Sequence, residues 1–318
     1  MTLPFVSIIV VNYNLKRYLQ ELLEGLLQTE YPSFEIRFVD NASTDQSIEY
    51  VRDNFQDKRL AIIAFGDNLG LYKAQNLAAK NAEGEYICFL DADVKVGHNW
   101  LLPMVEAMVK DESVGAAQPS VMQMEDFSEA YLEETAGDKD NAEIREISFP
   151  RGACTLVRKK VFERLLGFNE DCFSRSGDRD FGWRIWLYGY RCVQVSAARI
   201  YHAGEKKNRD KKLMGAILYH QLKNWIAMEL EFAEAKSLLK LMFLFLFRDL
   251  LRVKEGLSMD WKATLSAVLW VTRNMKLIMR KRSIIQNERK ISDAVFWNKF
   301  PYALFILGRQ SRSNWRHL

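Results

Sequence analysis

Two carboxylates one residue apart, Asp91 and Asp93, stand at the end of the apolar run Tyr86–Leu90 in "YICFLDADVKVG". Acids so placed can share a divalent cation. Hard cations take oxygen ligands, and Mg2+ commonly uses one or two carboxylates together with substrate phosphates. The pair therefore suits a docking point for a metal-bound diphosphate, although a bare D-x-D also describes solvated acids in many surface loops. The elements that carry it, and what else those elements deliver, decide between the two.

The run Val6–Val11 is apolar and largely β-branched, bounded by polar residues, and predicts a strand buried on both faces. Leucines at 15, 19, 22, 23 and 26 give helical spacing over Leu15–Leu27. Strands are expected at Glu35–Val39, Leu60–Phe65 and Glu85–Leu90, with helices at Ser47–Phe55, capped through Ser43 and Thr44, and at Tyr72–Asn81. Strands of five or six residues alternating with helices predict βαβ units in a mixed, mostly parallel sheet flanked by helices. Ligands on such sheets bind at the carboxyl ends of the strands. The segments that follow these strands are "NYN", "DNASTD", "GDNLG" and "DAD". All four polar tips fall at one edge of the expected sheet. Further on, Arg151–Arg158 reads as another strand, residues 168–190 as a loop leading into a helix, and the acidic stretch Met122–Ile144 as a flap over the site.

The chain has 318 residues, enough for about two domains. Its 48% hydrophobic and 27% charged residues describe an ordinary globular protein. Charge is unevenly spread: residues 205–318 hold 23 Lys and Arg against 10 Asp and Glu, whereas residues 1–204 hold 22 against 31. A boundary between 204 and 205 separates an acidic front from a basic rear. Cys88, Cys154, Cys172 and Cys192 form no C-x-x-C pair, which points away from a disulfide framework or zinc cage and toward a reducing compartment. The N-terminus lacks the basic region of a secretory signal.

Taken together, "VSIIVVNYN", "IRFVDNASTDQS", "NLGLYKAQN", "YICFLDADV", "RGACTLVRKKVFERLLGFNED" and "GDRDFGWRIWLYGYR" resemble, in order and spacing over residues 4–204, the family 2 glycosyltransferases of the GT-A fold, especially their rhamnosyltransferase-like branch. The resemblance implies an inverting, Mg2+- or Mn2+-dependent transfer of a sugar from a nucleotide-diphosphate donor, dTDP-rhamnose or a UDP-sugar. The acceptor would be a hydroxyl of a glycan or lipid-linked molecule in cell-surface polysaccharide synthesis. It implies that Tyr13 lies against the nucleobase and that Asp40 hydrogen-bonds it. Val11, Asn68, Gly70, Asn76, Asp91 and Gly152 would be further donor contacts, and Asp93 with Asp91 and His202 the metal ligands. Asp178 matches the general base and Asp180 its structural companion; Trp183 and Arg184 match the family's W-R pair, and all three fall on the acceptor side. Two positions depart from the pattern: Gly177 stands where glutamate is common and Gln75 where arginine is common. Those departures are the support for a rival reading as a non-catalytic nucleotide-sugar binder or scaffold. Residue by residue, plainer roles also exist: Asp40 and Asp178 as helix N-terminal acids, Trp183 and Trp186 as packing aromatics, His202 as a structural histidine.

In the rear third, the longest apolar runs are Leu241–Phe247 and Ala267–Val271, too short for the ~20 residues that span a bilayer. Basic residues such as Arg280-Lys281-Arg282 beside Trp, Phe and Leu suggest amphipathic helices on an anionic membrane surface. That would place the protein in the cytoplasm, peripheral on the inner face of the cell membrane. The alternatives are a packed helical subdomain or a homodimer interface. No groove-reading motif suggests nucleic acid.

Overall fold

The computed structural model describes residues 3–124, 143–173, 175–203, 211–237 and 261–300. The acidic stretch read as a flap lies mostly outside these residues, as does Leu241–Phe247. The chain divides into two compact units, residues 1–208 and 209–318.

In the first unit, nine strands form one sheet: β1 (Val6–Asn12), β2 (Phe34–Asp40), β3 (Leu60–Ala64), β4 (Tyr86–Asp91), β5 (Val94–Val96), β6 (Val114–Met124), β7 (Ile144–Glu146), β8 (Cys154–Arg158) and β9 (Arg191–Ala203). Their order is β3-β2-β1-β4-β8-β6-β9-β5, with β7 also on β9. Strands β3, β2, β1 and β4 run parallel in register, Asn12 opposite Asp40 and Val11 opposite Asp91. All seven residues of β1 and the first five of β4 are buried, as expected of strands covered by helices on both faces. From β1 the chain moves outward through β2 and β3 and returns to the other side of β1 as β4. The crevice for a ligand therefore opens beyond the carboxyl ends of β1 and β4, where the order reverses. Strand β8 joins β4 antiparallel, Leu90 opposite Cys154, and starts the mixed half.

Helices α1 (Leu19–Leu27), α2 (Ser47–Asn54), α3 (Leu71–Lys80), α4 (Leu102–Lys110), α5 (Lys159–Arg164) and α6 (Gly177–Leu187) flank the sheet. Helix α1 starts four residues later than its periodicity predicts. The Lys16 N–H is taken by the Asp45 carboxylate at 2.9 Å, Asn14 is left-handed, and Lys16–Tyr18 form a 3-10 turn. Below the crevice, Phe89, Phe162, Phe168 and Phe181 pack with ring centroids 4.7–5.6 Å apart. This cluster joins β4, α5, α6 and the 165–173 loop into one support.

The second unit contains α7 (Lys211–Phe232), α8 (Trp261–Arg273), α9 (Met275–Glu288) and α10 (Asp293–Lys299). Ala227, Val271 and Ile278 form its small core. A helix leaves its last four carbonyls without intrahelical partners. Those near the end of α7 accept from α9: Arg282 donates to Leu230 and Ala233 at 2.7 and 2.6 Å, and Gln286 to Glu231 and Phe232 at 3.0 and 2.9 Å. Arg282, grouped by sequence with a membrane-facing basic cluster, is thus a structural pin. No described helix is long and apolar enough to cross a membrane.

Candidate active site

Asp91 is the last residue of β4 and is held there because its N–H donates to the Ala153 carbonyl at 3.1 Å. A tight turn then sends the chain back as β5, whose Val94 pairs with His202 near the end of β9, and the Ala203 N–H donates to the Asp93 carbonyl at 3.0 Å. This pairing carries a histidine more than 100 residues away in sequence to the two acids. His202 Nε2 lies 3.3 Å from Asp93 Oδ1 and 3.9 Å from Asp91 Oδ2. One ligand atom from each residue falls within 4.8 Å of the others.

The electrostatics of the cluster favour a positive charge in its midst. Burial, then the neighbouring Asp93 charge, push the Asp91 carboxyl up to about 7; His202 opposes the rise and Asp178 adds to it. Burial alone would lower the His202 imidazolium, but the Asp93 hydrogen bond and the charges of Asp93 and Asp91 outweigh it and raise its pKa. Two carboxylates and an imidazole at these distances fit a divalent cation, which accepts oxygen and nitrogen donors and would relieve the repulsion that burial creates.

Asp178 approaches from α6. The chain reaches that helix through Arg175 and Ser176, both left-handed at φ 63°. Two successive non-glycine residues in this region cost about 1–2 kcal/mol each, a strain localised just before the acid. Burial raises the Asp178 carboxyl, while the N–H and guanidinium of Arg179 and the N–H groups of Asp178 and Gly152 hold it down. Its Oδ1 accepts from the Arg179 N–H at 2.9 Å. Gly152 directly precedes Ala153, the residue that receives the Asp91 N–H, so one short segment borders both acids. The charge of Asp178 is felt at Asp91, and Tyr72 feels both. The three acids therefore border common ground.

Just beyond β1, Tyr13 is 46% exposed and lines an open cleft of about 820 Å3 with Asn14, Lys16, Arg17 and Tyr50. Val11 is buried. Asp40 is 3% exposed, and its oxygens accept from Asn12 Nδ2 and the Ser43 N–H, both at 3.0 Å. Its first task is to bind the tips of β1 and β2 together; a ligand N–H would use the remaining lone pairs. Asn68 Oδ1 accepts from Asn41 Nδ2 at 3.1 Å and from the Gly70 N–H at 2.9 Å. Gly70 has φ 79°, and a Cβ there would come within 2.8 Å of the Phe173 ring and carbonyl. This loop is shaped for close backbone approach.

Four residues expected in or beside the site make contacts inside the protein. The Asn76 amide donates to the Phe168 carbonyl and to Glu170 Oε1 at 2.9 and 3.1 Å, and accepts from the Phe168 N–H at 2.8 Å. Both of its N–H donors and one lone pair of its oxygen are spent fixing the 168–170 segment. Asp180 and Arg184 form a buried pair on α6, with Nε at 2.9 Å, and Arg184 also donates to the carbonyls of Leu165 and Gly167 at 2.6 and 2.9 Å. Trp183 is 5% exposed. Asp180, Trp183 and Arg184 therefore seat the helix that presents Asp178. Two residues near Asp178 escaped the sequence reading. Arg151 lies within its electrostatic reach, and the Tyr72 phenol oxygen accepts from the Asp178 N–H at 3.3 Å. Neither carried a signal, since each acts across the fold.

Residues 7–166 match the family model described as "Glycosyl transferase family 2". The chain is 30% identical over 224 residues to the O-antigen biosynthesis protein RfbC of Myxococcus xanthus, a match covering 63% of this chain and only 17% of that protein. It is 37% identical over 210 residues to glycosyltransferase GlyG of Streptococcus pneumoniae, covering 60% of this chain and 68% of GlyG. Among solved structures, GalNAc-T7 with UDP, GalNAc and Mn2+ superposes with a TM-score of 0.70 at 14% identity, covering 96% of this chain and 58% of that one.

Proposed function

The chain belongs to glycosyl transferase family 2 and carries the GT-A fold, and from that premise we propose an inverting transfer from a nucleoside-diphosphate sugar to an acceptor hydroxyl. The observation that carries this reading is the convergence of Asp91, Asp93 and His202 from β4 and β9 with Asp178 from α6. In this reading Asp178 takes the proton of the acceptor hydroxyl, whose oxygen bonds to the anomeric carbon as the bond to the diphosphate oxygen breaks. A raised carboxyl pKa makes Asp178 a better proton acceptor than an exposed aspartate. Attack and departure occur on opposite faces, so the configuration inverts. Asp91, Asp93 and His202 would hold a Mg2+ or Mn2+ ion, which would supply charge neutralisation for the leaving diphosphate. The exposed ring of Tyr13 offers a stacking face to the nucleobase. The UDP and Mn2+ bound by GalNAc-T7 support a uridine donor and Mn2+; dTDP-rhamnose shares the same pyrimidine face.

The test is a hydrolysis panel of dTDP-rhamnose, UDP-glucose, UDP-N-acetylglucosamine and GDP-mannose, with Mn2+ and with EDTA. One donor should release its nucleoside diphosphate only with the metal, and Asp178→Asn should slow that release by about 100-fold or more while donor binding persists. Full turnover by Asp178→Asn would contradict the base assignment. A protein that binds a donor without ever releasing product would be the scaffold.

For the acceptor we propose a glycan or lipid-linked hydroxyl at a membrane surface. RfbC is named for O-antigen biosynthesis, and α8 and α9 expose Trp261, Leu265, Leu269, Met275 and Met279. Exposed Arg273, Lys276 and Arg280 stand among them, the composition of an interfacial helix face.

A further inference from the structure

We propose that Tyr72 is the positioning residue for Asp178, capping the start of α6 from the space that a side chain at 177 would need. The inference rests on the reading of Asp178 as the base. A Cβ built on Gly177 would lie 2.4 Å from both Cε2 and Cζ of the Tyr72 ring, well inside any real contact. Gly177 is the first residue of α6 and is absent from the left-handed positions of the chain. Its backbone does not demand glycine; the Tyr72 ring does.

The ring has a reason to be there. The first N–H groups of a helix lack intrahelical partners, and α6 has no side-chain cap from Ser176. The phenol oxygen of Tyr72 supplies one, accepting from the N–H of Asp178 itself at 3.3 Å. The residue whose carboxylate must meet the acceptor hydroxyl is thus tied down by its own amide. Tyr72 is 5% exposed and its ring packs at 5.4 Å on Phe168, within the aromatic cluster, so the cap is anchored rather than dangling. The charges of Asp178 and of Asp91 both reach the phenol. The ring at 72 fills the space that a side chain at 177 would need, so the absence of the acid does not imply a disabled site.

Two measurements test this. In the first, Tyr72→Phe keeps the ring and loses the oxygen. Its kcat for Mn2+-supported hydrolysis of the donor turned over in the panel should fall about tenfold, with KM for that donor held within about twofold. Unchanged kcat, or a rise in KM alone, overturns the positioning role. The second is a melting cycle that needs no activity. Gly177→Ala should lower Tm by several degrees when Tyr72 is present. In the Tyr72→Ala background the same change should leave Tm level or raise it, because alanine favours a helix over glycine. Equal effects in both backgrounds refute the sharing of space. Asp178→Asn, run alongside, separates the two readings. If it keeps full turnover, or if wild type turns over no donor, the base reading falls and the positioning role with it, while the melting cycle still decides the pairing of residues 72 and 177.

Discussion

Removing one member of the Asp180–Arg184 pair should be among the costliest single changes in this protein, and the structure says how costly. The two side chains stand four residues apart on α6 and are 1% and 8% exposed. Arg184 spends Nε and Nη2 on Asp180 and Nη1 on the carbonyls of Leu165 and Gly167. Asp180→Leu leaves a guanidinium buried without its counter-charge, a change that typically costs about 3–5 kcal/mol. For a unit of roughly 200 residues each kcal/mol moves Tm by about 2–4 °C, so a fall of about 6–20 °C is expected. Adding Arg184→Met removes the stranded charge, and replacing a whole buried ion pair by apolar residues is often close to neutral. The double variant should therefore melt above the single one. Glu106–Lys110 supplies the control: the same four-residue spacing, but 50% and 76% exposed. There Glu106→Gln should cost no more than about 0.5 kcal/mol. Differential scanning calorimetry of wild type and these three variants reads all of this. If Asp180→Leu melts like wild type and instead loses acceptor affinity, the pair belongs to the acceptor site and its structural assignment is wrong.

Further expectations concern the metal cluster, Asn76 and the second unit. Because burial holds the Asp91 carboxyl at about 7 against an ordinary 3.8, the metal-free native state keeps a proton that the unfolded chain releases. The stability from this group is thus full at low pH and declines as pH rises from about 4 toward 7; His202, also raised, adds a loss of the same sign above that range. A cation replaces the proton, so the Tm gain from Mn2+ should grow between about pH 5 and pH 8, and an equal gain at both, or an undiminished gain in Asp93→Asn, would count against the cluster. Asn76→Ala should destabilise by about 1–3 kcal/mol, since it strands the buried Phe168 N–H and carbonyl, with donor KM unchanged in the remaining folded enzyme; a selective rise in KM would restore Asn76 to the donor site. Sedimentation with vesicles containing phosphatidylserine should capture the protein at low salt, and the Arg273→Glu, Lys276→Glu, Arg280→Glu variant should lose most of that binding; equal capture on neutral vesicles would argue against a charge-assisted surface.

What could be read from the sequence was whatever is periodic or contiguous. Strands such as Val6–Asn12 and Tyr86–Asp91 announce themselves by unbroken apolar runs, and a parallel sheet then forces their polar tips to one edge. The position of Asp91 and Asp93 followed from that alone. His202 came only through resemblance, because the pairing of the three-residue β5 with β9 has no periodic signal. The same limit hid the Tyr72–Gly177 contact, which joins α3 to α6 across 105 residues: a glycine looks like a deletion until the ring that fills it is seen. Asn76, Asp180 and Arg184 misled for the opposite reason. Polar residues inside motifs resemble ligand contacts, yet here Asn76 and Arg184 satisfy backbone groups of the 165–168 segment and Asp180 answers the charge of Arg184, which is visible only once that loop is placed against α3 and α6.

The most direct test of the site is a crystal structure grown with Mn2+ and the donor that the hydrolysis panel selects. The anomalous peak of manganese should sit between Asp93 Oδ1 and His202 Nε2, touching the diphosphate, with the anomeric carbon turned toward the carboxylate of Asp178. A manganese peak elsewhere, or a sugar whose anomeric carbon is walled off from Asp178, would contradict this arrangement.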